Sequence, residues 1–189
     1  MTSARIACAF FSLALLACQK QPASLVIEPN KFLPLERKGK TVQLKAQTKD
    51  DRNIFIATVQ PEWSSSDPSV ATVGPDGLVT AQGTGKTVIT GKTQGVEGSV
   101  EVDVRIVGAV EVEPKEPQKL KLGKTMKFKA VVKDDRGNVM PNEKILWRAA
   151  GYAIDVDQDG LVTAQALGES TLVAQAKDKE TRVPFVVVD

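Results

Sequence analysis

The sequence predicts an all-β protein built from two tandem antiparallel β-sandwich domains. The first observation behind this fold class is an internal repeat. Trp63 returns as Trp147, and each is followed by the segment Asp-Gly-Leu-Val-Thr-Ala-Gln, at 76–82 and 159–165. The period of about 84 residues corresponds to a whole small domain, because solenoid repeats are about 20 to 50 residues long.

The second observation is an alternation of apolar and polar residues. It runs through 42–48 and 100–106 in the first copy and through 126–132 and 183–187 in the second. A period of two places one side of a strand in a core and the other in water. Turn residues such as Asp76-Gly77 separate these runs about every ten positions, which indicates several short strands per copy.

Each repeated element has an expected place in the sandwich. Trp63 and Trp147 are predicted to lie at the end of a strand and to anchor the two cores. Asp76-Gly77 and Asp159-Gly160 are predicted to form tight turns, because glycine accepts the positive φ that such turns require.

The N-terminal segment predicts export and a lipid anchor. Arg5 precedes an apolar run from 6 to 17 that is too short to span a bilayer, which needs about 20 residues, but fits a signal peptide. The run ends in Leu-Leu-Ala-Cys at 15–18, which resembles a bacterial lipobox. The resemblance implies cleavage after Ala17 and lipid attachment to Cys18, and the alternative is an ordinary secretory peptide. The expected segments are a signal peptide (1–17), a lipidated tether (18–23), a first domain (24–107) and a second domain (108–189).

These residues also predict a location. Two or more lipid chains hold a protein stably at a membrane, so the expected site is the cell envelope. Gln19 follows the cysteine, and the absence of aspartate there favours the outer over the inner membrane. Cleavage would leave Cys18 as the single cysteine, so both domains must fold without a disulfide.

The composition argues against an enzyme. The chain has no histidine, which excludes imidazole metal sites and catalytic triads that use histidine. Neither a phosphate-binding nor a dinucleotide-binding glycine motif follows a predicted strand. We therefore expect no catalytic residues and no cofactor.

One acidic segment has the spacing of a calcium loop. Asp155, Asp157 and Asp159 precede Gly160 in a D-x-D-x-D-G pattern. The position of the closing glutamate is Ala166, which cannot bind calcium. The favoured interpretation is therefore a β-turn rich in aspartate with no metal, and a weak calcium site is the alternative. The pairs Asp50-Asp51 and Asp134-Asp135 are likewise interpreted as solvated turn residues.

The second domain begins with a group of lysines that is a candidate binding surface. They alternate with apolar residues and are expected to share one outer face: Lys119, Lys121, Lys127 and Lys129. Such a surface would suit anionic lipid or polysaccharide. The alternative is that these lysines keep the sheets soluble and unpaired. The net charge of +2 is too small to indicate nucleic acid.

The first copy resembles a known family. The segments Trp-Ser-Ser-Ser-Asp-Pro-Ser-Val-Ala-Thr-Val (63–73), Gly-Leu-Val-Thr-Ala (77–81) and Gly-Lys-Thr-Val-Ile-Thr (85–90) are similar to the bacterial immunoglobulin-like domain of group 2. The second copy resembles it less closely but keeps Gly-Leu-Val-Thr-Ala at 160–164. The resemblance implies Ig-like sandwiches of the kind carried by cell-surface, adhesion and envelope proteins, without catalytic residues.

These observations predict a non-catalytic, envelope-anchored lipoprotein that serves as a binding, adhesion or spacer module. The alternatives are an accessory subunit of an envelope protein complex and a carbohydrate-binding module for peptidoglycan or exopolysaccharide. The expected partners are the membrane, through the lipid, and a protein or a polysaccharide. Exposed aromatic residues clustered on one face would favour a sugar, and an apolar patch at the domain junction or the last strand would favour a protein.

Overall fold

The structure is a computed structural model that describes residues 21–189. The predicted signal peptide and Cys18 lie outside the described residues. The described part is all-β and contains no helix, which confirms the predicted fold class. Accordingly, residues 21–189 offer no helix with the length and hydropathy needed to cross a membrane.

The strands fall into two groups that follow one another along the chain. The first group is β1 (Ser24–Glu28), β2 (Thr41–Gln43), β3 (Lys45–Lys49), β4 (Phe55–Val59), β5 (Glu62–Ser65), β6 (Ala71–Val73), β7 (Leu78–Ala81), β8 (Gly85–Thr93) and β9 (Val96–Val104). The second group is β10 (Val107–Glu113), β11 (Gln118–Lys121), β12 (Thr125–Lys127), β13 (Lys129–Asp134), β14 (Leu146–Gly151), β15 (Ile154–Val156), β16 (Leu161–Ala164), β17 (Gly168–Ala176) and β18 (Lys179–Val188).

Each group forms a sandwich of two layers. In the first sandwich, one layer contains β1-β3-β4 and β2-β7-β6, and the other contains β5-β8-β9. Leu44 separates β2 from β3, and its N–H donates to the carbonyl of Gly77 at 2.9 Å, which links the two parts of the first layer. The neighbouring strands within these sheets are antiparallel. Short turns join three of the pairs, β3 to β4, β6 to β7 and β8 to β9.

The second sandwich repeats this arrangement. One layer contains β10-β13 and β12-β16-β15, and the other contains β11-β18-β17-β14. Phe128 lies between β12 and β13 and donates its N–H to the carbonyl of Gly160 at 2.8 Å, as Leu44 does to Gly77. β11 joins β18 in parallel, and a parallel bridge from Leu35 to Val104 is its counterpart in the first sandwich.

Two separate cores confirm the predicted alternation. The first core includes Leu44, Val79, Ile89 and Val102, and the second includes Phe128, Val162, Leu172, Val183 and Phe185. Each core draws residues from both layers, so the layers are held together by apolar burial rather than by covalent links.

The repeated tryptophans join the two layers. Trp63 lies in β5 and Trp147 in β14, whereas the repeated glycines Gly77 and Gly160 lie in the turns of the opposite layer. A Cβ on Gly77 would lie 3.2 Å from the Trp63 indole and 2.7 Å from the carbonyl of Leu44. The indole therefore packs directly against the glycine turn. The expectation that each tryptophan ends a strand is wrong, because both strands begin one residue before it and continue by pairing with the next long strand.

Replacing Gly160 by alanine should destabilise the second sandwich more than replacing Gly123. Both glycines have a positive φ, +82° and +78°, so both alanines carry a backbone penalty of about 1–2 kcal/mol. At Gly160 the new Cβ would also lie 2.8 Å from the Phe128 carbonyl oxygen and 3.0 Å from the Trp147 indole, whereas Gly123 has nothing within 4 Å. Overpacking adds about 1–3 kcal/mol to the loss of unfolding free energy.

Urea unfolding of the two variants measures this difference. Equal losses of unfolding free energy would contradict the close packing of the indole on the turn.

Candidate functional site

The junction between the sandwiches is short and is fixed to the first sandwich. β9 ends at Val104 and β10 begins at Val107, so Arg105 and Ile106 connect them. The Thr84 hydroxyl accepts the N–H of Ile106 at 2.9 Å and donates to its carbonyl at 3.3 Å. Val107 already belongs to the second core. The connection is therefore a hydrogen-bonded segment rather than a free linker.

A turn of the second sandwich docks on the first. This docking turn, residues 134–137, begins at the last residue of β13. Asp135 accepts the N–H of Thr84 at 3.0 Å through Oδ1, and its own N–H donates to the Ile106 carbonyl at 3.2 Å. The Arg136 guanidinium donates to the Ser69 hydroxyl at 3.1 Å. Side chains as well as the chain connection therefore hold the sandwiches together.

The docking turn is itself shaped by Asp134, which is buried at 8% relative exposure. Its Oδ1 accepts the N–H groups of Arg136 at 2.9 Å and Asn138 at 2.8 Å. Burial opposes ionisation of Asp134, but these backbone bonds and the Asn138 amide outweigh it and lower its pKa. Asp134 thus folds the turn, which leaves Asp135 and Arg136 to make the contact.

A glycine lies at the close approach of the two sandwiches. A Cβ on Gly83 would lie 3.0 Å from the Ser69 carbonyl and 3.4 Å from the Asp135 carboxylate, so a side chain longer than that of alanine would press on the docking turn. Within the second sandwich, a Cβ on Gly108 would collide with the carbonyl of Asp134, so this glycine lets β10 pair closely with the end of β13.

Charge also favours the contact. The hydroxyl and N–H of Ser69 lower the pKa of Asp67, and the positive charge of Arg136 lowers it further. At the edge of the junction, Lys177 contacts both carboxylate oxygens of Glu36 at 3.0 Å. Both of those side chains are largely exposed, so this ion pair contributes little beside the docking turn.

The first sandwich carries an equivalent turn at its other end. Asp50 accepts the N–H groups of Arg52 at 3.0 Å and Ile54 at 2.8 Å, as Asp134 does in the docking turn. Hydrogen bonds from the Ile54 N–H lower the pKa of Asp50 most, with burial opposing and Arg52 assisting. Asp51 and Arg52 are 86% and 67% exposed, and Arg52 contacts the two aspartates of its own turn.

The second sandwich has a different surface where the first carries its docking site. The carbonyl of Val70 in the first sandwich and the carbonyl of Ala153 in the second accept equivalent backbone N–H groups. This correspondence places Tyr152 at the position of Ser69, and Leu167 at the position of Thr84. Tyr152 and Leu167 are 71% and 46% exposed. Leu122 is exposed nearby and donates its N–H to Val188, in the strand next to β17. We call Leu122, Tyr152 and Leu167 the apolar end.

The acidic segment with the spacing of a calcium loop forms the turn between β15 and β16. Asp157 Oδ1 accepts the N–H groups of Asp159 at 2.9 Å and Leu161 at 2.8 Å, so this carboxylate is used by the backbone. Asp155 lies in β15, outside the turn, and pairs with Thr163 of β16. Within residues 21–189, acidic side chains do not gather into a group of three that could hold a metal ion.

The predicted lysine face is divided by the fold. Lys119 and Lys121 lie on β11 in one layer, whereas Lys127 on β12 and Lys129 on β13 lie in the other. All four are exposed. The expectation of one shared outer face is wrong because the chain crosses between layers at 122–124. A binding role for either pair stays a prediction.

The interpretation of the acidic pairs as solvated is wrong in part. Asp50 and Asp134 are buried, and Asp135 contacts the other sandwich. The contact residues Ser69 and Thr84 were not predicted, because nothing in their local sequence distinguishes them from turn residues. The short junction was the available signal, since it brings loops of neighbouring domains together.

The strand order of both sandwiches defines the class of protein. In the first sandwich, the layer that contains β1-β3-β4 and β2-β7-β6 packs against the layer β5-β8-β9. This arrangement is that of an immunoglobulin-like sandwich. Residues 34–104 match the family model of the bacterial Ig-like domain (group 2). The match confirms the resemblance for the first sandwich, and this family is a non-catalytic one. For the second sandwich the resemblance stays a prediction.

Other proteins are similar over most of the chain. Ice-binding protein 1 of Shewanella frigidimarina is 27% identical over 157 residues, which cover 80% of this chain and 18% of that protein. This chain therefore spans less than a fifth of that relative.

Solved structures with similarity to the chain include an S-layer protein and an adhesin. The S-layer protein SbsC, domains 4 and 5, has a TM-score of 0.39 at 21% identity, covering 88% of this chain and 97% of that one. FdeC, an Escherichia coli adhesin, has a TM-score of 0.44 at 18% identity, covering 87% and 62%.

Removing the docking contacts should free the two sandwiches from each other. We expect the Asp135→Ala/Arg136→Ala variant to broaden the distance distribution between spin labels at Ser99 and Lys179 about twofold, because domain motion is the default without a specific interface. The matched control is Asp51→Ala/Arg52→Ala in the equivalent turn, which should leave the distribution unchanged. An equal effect of the two double variants on pulsed dipolar measurements would show that the docking turn does not fix the junction.

Acid should weaken the second sandwich partly through Asp134. Its folded pKa is lowered, so its stabilisation is complete above the unfolded pKa of about 4 and is lost as pH falls through the folded value. Denaturant unfolding at about pH 7 and about pH 3 should therefore show a smaller loss of stability in Asp134→Asn than in the unchanged protein. Asp50 contributes equally to both proteins, so the difference reports on Asp134, and identical losses would contradict its role.

Proposed function

We propose that this protein is a non-catalytic, lipid-anchored module of the bacterial cell envelope, in which the first sandwich holds the second at a fixed orientation. The observation that carries the proposal is the docking turn. The Asp135 carboxylate accepts the N–H of Thr84, and the Arg136 guanidinium donates to the Ser69 hydroxyl. These hydrogen bonds convert two linked domains into one arm. Such an arm suits a spacer or a binding module, adhesion included, because it presents one surface in a defined direction.

The anchor is supported by the sequence at 15–18 and by the short tether that follows it. A signal peptide that ends in a lipobox would leave a lipid on Cys18, and Gln19 favours the outer membrane. The first sandwich matches a bacterial Ig-like domain, which indicates a surface-module role. Cell-surface or periplasmic exposure of the arm follows from the same proposal.

A second candidate function is an accessory subunit that binds a protein. The apolar end favours it, because Tyr152 and Leu167 stand where the first sandwich has Ser69 and Thr84. Leu122 adds a third exposed apolar side chain to this surface. A carbohydrate-binding role has less support. In residues 21–189, the exposed aromatic side chains Phe55 and Tyr152 lie on different sandwiches, so they do not form one sugar platform.

Replacing Cys18 by serine should release the protein from the membrane. We expect the unchanged chain in the membrane fraction and Cys18→Ser in the soluble fraction, because the lipid supplies the stable attachment. Thr2→Ser is a control that keeps the cysteine. Retention of Cys18→Ser in the membrane fraction would contradict the lipid anchor.

Protease treatment of intact cells separates the two candidate functions. Digestion of the second sandwich without permeabilisation supports surface adhesion. Complete protection supports an accessory role inside the envelope and excludes adhesion.

A further inference from the structure

We propose that the β3–β4 hairpin end of the first sandwich, residues 49–55, is a membrane-contacting surface in which Ile54 and Phe55 enter the lipid interface. We call this segment the hairpin end. The inference rests on the proposed lipid anchor at Cys18 and adds a second, non-covalent contact that sets how the arm stands on the bilayer.

Strand register places the hairpin end beside the entry of the chain. The N–H of Ala23 donates to the carbonyl of Lys49 at 2.8 Å. Ser24 pairs with Lys49 and Lys49 pairs with Phe55, on three adjacent strands in the order β1-β3-β4. Neighbouring strands lie about 4.8 Å apart, so Phe55 is about 10 Å from the entering chain.

The tether keeps this end near the lipid. Residues 19–23, whatever conformation they take, span at most about 17 Å. A lipid on Cys18 therefore holds the Ala23 edge of the sandwich within that distance of the bilayer. The second sandwich docks at the opposite end, on loops that contain Ser69 and Thr84, so it does not cover the hairpin end.

The side chains of the hairpin end suit a lipid interface. Ile54 and Phe55 are 46% and 53% exposed, and Arg52 is 67% exposed. Apolar and aromatic side chains enter the headgroup region, and cations meet lipid phosphates. Asp50 turns its carboxylate inward to backbone N–H groups, which leaves Asp51 as the exposed acid of the turn, within 4.0 Å of Arg52.

The internal repeat provides a comparison within the chain. The aspartate that shapes the docking turn accepts the same backbone hydrogen bonds as Asp50, but Asn138 and Val139 follow that turn where Ile54 and Phe55 follow the equivalent turn of the first sandwich. The isoleucine and phenylalanine thus occur in the copy next to the anchor, and the copy that lies against a protein surface has a polar residue and a smaller one. This difference favours lipid over a second protein copy as the occupant.

Brominated lipids test the contact. The mature chain from Cys18 is coupled through its thiol to a maleimide lipid in vesicles of brominated phosphatidylcholine and phosphatidylglycerol. The Phe55→Trp variant places a tryptophan in the hairpin end, and Val139→Trp is the matched control. Side chains inserted about 5–10 Å into the interface reach the brominated acyl chains, and bromine quenches tryptophan fluorescence. We therefore expect the tryptophan introduced by Phe55→Trp to lose roughly half of its fluorescence and the one introduced by Val139→Trp to lose none. Both positions are exposed, so neither tryptophan should disturb folding, and unchanged unfolding midpoints verify this.

Each other outcome overturns the inference. Equal quenching of the two variants means that the arm lies flat or tumbles, and no quenching means that the hairpin end stays in water. A change in tryptophan fluorescence that increases with the density of protein on the vesicles, and that also occurs with lipids that carry no bromine, means that a second copy covers Phe55. Because the anchor is attached chemically, these results do not depend on cellular acylation, which the Cys18→Ser fractionation tests separately.

Discussion

The packing of one indole on one glycine turn is the contact on which each sandwich depends. The tryptophan belongs to one layer, and the turn glycine, together with the carbonyl of Leu44 or Phe128, belongs to the other. A side chain on Gly77 or Gly160 would separate the layers, and both cores lie between those layers. The contact needs both residues, which explains why the repeat keeps the tryptophan and the glycine although they are 14 residues apart in the first copy and 13 in the second.

Much of the fold could be predicted from the sequence because it depends on local patterns. Alternation at 126–132 and 183–187 identified buried Phe128 and Phe185, and Asp-Gly identified the turns. The docking site could not be predicted in this way. Asp135 accepts the N–H of Thr84 only when the second sandwich lies beside the first. That placement depends on the tertiary packing of residues that are far apart in the chain.

The errors have similar causes. Lys121 and Lys127 are close in sequence, yet the chain changes layers between them, so alternation alone wrongly placed them on one face. Trp63 is expected at the end of a strand, but β5 continues through Ser64 and Ser65. Pairing of Ser64 and Ser65 with β8 outweighs their weak strand preference and extends the strand. In both cases, the partner strand rather than the local sequence determines the outcome.

The two-point attachment at the junction has a mechanical consequence. A load applied to the second sandwich reaches the first by two routes, the backbone at Arg105 and Ile106 and the side chains of Asp135 and Arg136. A single backbone link would transmit tension but would rotate freely under torque. Two routes separated in space resist twisting as well. A lateral force on the second sandwich therefore produces a bending moment at the base of the arm.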